Sequence, residues 1–144
     1  MKLFLDTSVL LAACGSARGS SRAMFDFAPA NGWTLMASPW VVTEVVRNLR
    51  KFPPAATHEW LRFRPQLTLV DDVVSINQAV VFPVSKDRPV LLTALASSQV
   101  LLTLDRDDFA GLLGSHFYGL PLMQPSEFLE CERRAGRLKS PATV

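Results

Sequence analysis

The hydrophobic residues of this chain fall into short unbroken runs, separated by stretches in which they recur with helical spacing. Leu3 to Leu5 is the first run and Trp33 to Ala37 the second; Gln66 to Val70, Val100 to Leu104 and Leu120 to Met123 follow. Leu3 to Leu5 and Val100 to Leu104 are the continuous apolar kind that marks buried strands, as in a parallel sheet; the other three read as strands. Between them the period changes. Val9 to Ala13 suit a helix directly after the first run, and Met24, Phe25 and Ala28 share one side of a short helix over 22–28 that Pro29 to Gly32 breaks. Ser38-Pro39 opens a longer helix, a capping residue followed by Pro at the first helical position. Val41, Val42, Val45, Val46 and Leu49 form its stripe, and Pro53-Pro54 ends it. Residues 73–86 have no decisive period, apart from a helical tendency over 77–81. Another helix begins near Lys86-Asp87-Arg88-Pro89, and Pro125-Ser126-Glu127 starts a terminal one reaching about Arg134. Alternating strands and helices predict a three-layer α/β/α fold with a mostly parallel, five-stranded sheet.

A length of 144 residues predicts one domain, 1–134, followed by a basic tail over 135–144 that frays. Cys14 and Cys131 are far apart and His58 and His116 equally scattered, which argues against a disulfide framework or a structural zinc site and fits a reducing cytoplasm. The apolar stretch before Cys14 has the look of a lipoprotein signal, but Asp6 interrupts it, and no run reaches the ~18 residues of a membrane span. The net charge of +2 is too small to identify a partner. Its distribution says more. Arg47, Arg50, Lys51, Arg62 and Arg64 lie close in sequence to Phe52, Trp60 and Phe63. Basic residues interleaved with aromatics suit a nucleic-acid backbone and stacked bases; an ordinary solvated helix face over core aromatics reads the same way.

Asp6 ends the first strand and Asp105 ends the fourth, so right-handed crossovers put both on one rim of the sheet, where open α/β folds bind ligands. Glu44 lies beside the apolar stripe of its helix, and Asp87 falls at the start of another. Helix capping accounts for Asp6 or Asp87 taken singly. Four carboxylates in one cleft would repel one another and call for a cation, and all-oxygen ligands suit Mg²⁺ or Mn²⁺. With no phosphate-binding G-x-x-x-x-G-K-[ST] loop and no Ser-His-Asp set, the chemistry indicated is metal-assisted phosphodiester hydrolysis.

These pieces together resemble the PIN-domain family, in particular the toxin ribonucleases of bacterial toxin–antitoxin modules. The matching segments are LDTSVLLAA at 5–13, VVTEVVRNL at 41–49, KDRPVLLTAL at 86–95, LLTLDRDDF at 101–109 and LPLMQPSEFLE at 120–130. The resemblance implies a strand order of 3-2-1-4-5. It implies Asp6, Glu44, Asp87 and Asp105 as the acidic cluster, with Glu44 binding metal or orienting water, Ser8 and Thr103 as supporting hydroxyls, and Asp108 as an accessory acid. It further implies a metal-dependent endoribonuclease acting on RNA, a cognate antitoxin protein and a homodimer. Many members carry Gly before the fourth acid where this chain has Leu104, a departure that leaves open a catalytically weak RNA- or protein-binding module. A housekeeping RNA or DNA nuclease without antitoxin is the other alternative.

Overall fold

The computed structural model describes residues 1–73, 88–106 and 109–141. Strand β1 (Lys2–Leu5) leads into α1 (Thr7–Gly15) and α2 (Ser20–Asn31); β2 (Thr34–Ala37) leads into α3 (Pro39–Leu49) and α4 (Pro54–Phe63), then β3 (Thr68–Leu69). Helix α5 (Arg88–Ser97) precedes β4 (Val100–Leu102), the hairpin β5 (His116–Phe117) and β6 (Leu120–Met123), and α6 (Pro125–Arg134). The sheet order is β3-β2-β1-β4-β6-β5, with every pairing parallel except β5 with β6.

The expected order 3-2-1-4-5 holds for the five strands read from the sequence; the sheet gains β5 at its edge. His116-Phe117 is too short for a hydrophobic run to reveal. Its turn is Tyr118-Gly119, both with positive φ (48° and 85°), as the two-residue hairpin turns that match strand twist require.

Leu3, Phe4 and Leu5 are all fully buried, as are Leu101 and Leu102. Successive strand residues point to opposite faces, so both faces of the sheet centre are covered, as three layers demand. Helix α2 runs through Pro29 to Asn31 instead of breaking there, and it stops at Gly32, whose left-handed φ of 65° ends it. The tail beyond α6 is held rather than frayed as far as Lys139. Arg137 forks onto the buried Glu132 at 3.0 and 2.7 Å, an ion pair that raises the guanidinium pKa. Asn31 exchanges two 2.8 Å bonds with the main chain of Lys139.

One expectation is overturned. Trp60 and Phe63 are 5% and 1% exposed, so they are core residues and not a stacking surface. Phe63 stacks on Phe25 at 4.4 Å, and the Arg22 and Arg62 guanidinium groups each lie 5.1 Å from its ring centre. Arg62 also pairs with Glu59 at 3.3 Å, so it contributes to the scaffold around α4.

Candidate active site

Register puts the first and fourth strands level: Leu5 pairs with Leu102, and the Asp6 amide donates to the Leu102 carbonyl at 3.0 Å. The next residues on the two strands, Asp6 and Thr103, therefore emerge side by side at the carboxyl edge of the sheet. Asp6 stands at the N-cap of α1 but makes no side-chain cap bond, so capping does not account for its carboxylate. Instead Oδ2 accepts from the Thr103 hydroxyl at 2.9 Å and from the Ser8 hydroxyl at 3.0 Å. Thr103 is fully buried and Asp6 nearly so. Hydroxyl donors to an ionised acceptor are among the stronger hydrogen bonds, and here they fix the carboxylate at the strand end.

The network reaches outward on both sides. The Thr103 Oγ1 accepts from the Asp105 amide at 3.1 Å, which ties the loop carrying Asp105 to the same hydroxyl. The Ser8 Oγ accepts from the Leu104 amide at 3.0 Å and lies 3.4 Å from Thr103 Oγ1. The Leu104 side chain packs against the core. On the other side, Thr7 Oγ1 donates to Glu44 Oε2 at 3.2 Å, linking α1 to α3. Glu44 is half-buried. Hydrogen bonds thus link Asp6 to Ser8, to Thr103 and through it to the Asp105 main chain, and link Glu44 to Thr7, the neighbour of Asp6. Asp87 and Asp108 lie outside the described residues. Among the described residues, no three His, Cys, Asp or Glu side chains stand close enough together to hold a metal ion. The donor chemistry nevertheless fits a hard divalent cation: the acids at this rim offer oxygen alone, and hydroxyl donors orient one of them.

Two features here were not legible in the sequence. Ser38 stands at the N-cap of α3, but its side chain caps nothing; its hydroxyl is fully buried without a partner. The cap comes from far along the chain. The carboxylate of Asp72, read from sequence as part of a turn, accepts the Trp40 amide with both oxygens at 3.2 Å. A carboxylate there satisfies an orphan amide and complements the positive end of the helix. The second feature is Trp40 itself, 42% exposed on the same helix as Glu44. Of the five basic residues singled out, Arg47 joins Trp40, Thr43, Glu44 and Asp72 around a surface pocket. Arg50 and Lys51 are exposed past the end of α3, and Arg64 follows α4.

No family model matches the chain, and no curated protein matches it closely enough to count as a relative. Solved structures do match. The VapBC2 complex of Rickettsia felis, bound to a DNA fragment from its promoter, superposes with a TM-score of 0.61 at 18% identity, over 85% of this chain and 97% of that one. PAE2754 of Pyrobaculum aerophilum gives a TM-score of 0.61 at 14% identity, over 92% and 90%. The fold is PIN-like. At such identities the likeness concerns backbone architecture, and what the PIN-like fold does in this chain rests on its own side chains. Among the described residues, no helix is long and apolar enough to cross a membrane.

Proposed function

We propose that this PIN-like chain is a metal-dependent endoribonuclease and the toxin half of a toxin–antitoxin pair. The observation that carries the reading is the Asp6 carboxylate. It is buried at the carboxyl edge of the central strands, it leaves its helix uncapped, and it is held by Thr103 and Ser8. Leaving a helix uncapped forgoes about 1 kcal/mol, and burying a carboxylate costs more unless it is well bonded. Here the bonds from Thr103 and Ser8 offset that cost, and they hold the carboxylate at the edge where open α/β sheets bind ligands.

Asp6, Asp87 and Asp105 are the proposed ligands of Mg²⁺ or Mn²⁺, with Glu44 as a fourth ligand or as the group that orients the attacking water. When bound, the cation supplies charge for the leaving oxygen and a water activated at neutral pH. The chain's own part is positioning. Thr103 and Ser8 hold the Asp6 carboxylate in one rotamer, Thr7 holds Glu44 against α1, and Arg47 offers a cation to a neighbouring phosphate. Leu104 is partly buried against the core, which favours an active nuclease over a binding module. An antitoxin partner is proposed by analogy with the VapBC2 complex, and a homodimer from the family resemblance.

The purified protein with Mn²⁺ should cleave single-stranded RNA, and Asp6→Asn should abolish cleavage by orders of magnitude. Cleavage that survives chelation, or survives Asp6→Asn, would remove this site from the reaction. Expressed alone, the wild-type protein should slow growth and Asp6→Asn should not. Harmless expression of active enzyme would refute the toxin role.

A further inference from the structure

The pocket beside Glu44 has a composition that the acidic cluster does not explain. Trp40, Thr43, Glu44 and Arg47 follow the 3-and-4 spacing that places them on one face of α3. Among the described residues, Asp72 and Pro39 also line this hollow of about 240 Å³. That is smaller than the roughly 300–1,000 Å³ of pockets for drug-sized ligands, so it suits a fragment the size of one base.

Trp40 is a large aromatic left 42% exposed, whereas Trp60 is buried and Trp33 packs edge-on against Phe128 at 5.0 Å. Its main chain is fixed by the two 3.2 Å contacts from its amide to Asp72 and by the following turns of α3. An exposed indole on a fixed backbone loses little freedom when a flat ring stacks on it. Arg47 is exposed, and among the described residues it forms no ion pair. Asp72 and Glu44, when ionised, only accept hydrogen bonds.

We infer that this pocket receives one base of single-stranded RNA next to the scissile phosphate, with Trp40 as the stacking platform, Arg47 on the adjoining phosphate and Asp72 reading the base edge. The inference rests on the nuclease reading and adds a sequence preference to it. An acceptor-only carboxylate favours a base that presents an amino group. Between the two pyrimidines, cytosine carries an N4 amino donor where uracil carries an O4 acceptor, so cytosine binds more tightly than uracil, which offers only its N3–H.

The test measures binding apart from cleavage. Fluorescein-labelled oligocytidylate and oligouridylate tetramers are titrated by anisotropy into the Asp6→Asn protein without metal. Oligocytidylate should bind the more tightly. Trp40→Ala should weaken its binding by about five- to a hundredfold, the range carried by one base stack; Trp40→Phe should restore most of it. Asp72→Asn keeps an oxygen for the Trp40 amide while adding an amide donor, so it should erase most of the cytosine preference and leave stacking intact. Thermal melts establish that each variant is folded. Wild-type affinity and base preference in Trp40→Ala, or tetramer binding by no variant, would overturn the pocket assignment, the latter pointing to a protein occupant. Failure of the wild type to cleave any RNA, with the Trp40 and Asp72 effects on binding present, would overturn the nuclease reading and leave the pocket standing.

Discussion

Replacing Thr103 by Val exchanges one hydroxyl for a methyl of nearly the same volume, at a position with no exposed surface. Packing should be almost unchanged, so the cost is electrostatic. Three bonds go: the 2.9 Å donation to Asp6, the 3.1 Å acceptance from the Asp105 amide and the long 3.4 Å bond shared with Ser8, the weakest of the three. A hydrogen bond to a charged group contributes about 1.5–3 kcal/mol and a neutral one about 0.5–1.5 kcal/mol. The bonds to Asp6 and from the Asp105 amide together predict a loss of about 2–4.5 kcal/mol, a large share of the roughly 5–15 kcal/mol that holds a domain folded. Urea unfolding in chelator measures it. With an m-value of about 2 kcal/mol/M, the midpoint should fall by about 1–2 M with m unchanged. The Asp6→Asn background separates the bond to Asp6 from the others. There the acceptor is neutral and the bond about half as strong, so Thr103→Val should cost about 1 kcal/mol less than in the wild type. Mn²⁺ affinity supplies a second readout, since loss of a group that orients a metal ligand typically costs 10–100-fold. A cost below about 0.5 kcal/mol in the wild-type background would show that Thr103 does not hold Asp6 in solution. An equal cost in both backgrounds would assign the effect to the other two bonds.

Other expectations follow from the same geometry. Mn²⁺ should raise the melting temperature of the wild type by binding only the folded state, by about 2.7 kcal/mol at a hundredfold excess over Kd; Asp105→Asn should gain less, and equal gains would exclude Asp105 as a ligand. Ser38→Ala should be neutral or stabilising by about 1 kcal/mol in a urea melt, because it deletes a buried hydroxyl without a partner; a loss of that size would mean that Ser38 caps α3 after all. Burial pushes the Cys14 thiol up from 9.0 to about 11, with Arg22 opposing and Glu59 adding. The folded state therefore holds this proton after the unfolded chain has released it. Its contribution is complete below pH 9 and is lost as pH rises towards 11, by at most about 2.7 kcal/mol. A Cys14→Ala variant whose stability fell as steeply as the wild type's over that window would assign the loss to other groups. At neutral pH a thiol reagent should modify the exposed Cys131 and reach Cys14 only on unfolding.

The centre of the fold is legible in the hydrophobic runs. Leu3 to Leu5 and Val100 to Leu102 are apolar at every position because both faces of their strands are covered, and such runs are visible without partners. The placing of Asp6 follows from those runs, since it ends the first; β4 stops at Leu102, short of the expected Leu104, so Thr103 stands level with Asp6 and Asp105 lies beyond on the loop. What surrounds the acids is set by long-range contacts; the resemblance implied Ser8 and Thr103, but their own neighbours in the chain do not. The hydroxyl that holds Asp6 comes from 97 residues away, and the carboxylate that caps α3 from 32 residues beyond Trp40; no local pattern encodes either distance. The aromatics show the same limit. Trp40 and Trp60 both sit on helices near basic residues, and nothing in their local sequence says which is exposed. Helix α4 packs against α1, and Trp60 and Phe63 enter the core, while Trp40 at the start of α3 stays exposed beside a surface pocket. Burial is a property of what covers a side chain, and the covering elements are brought there only when the chain folds.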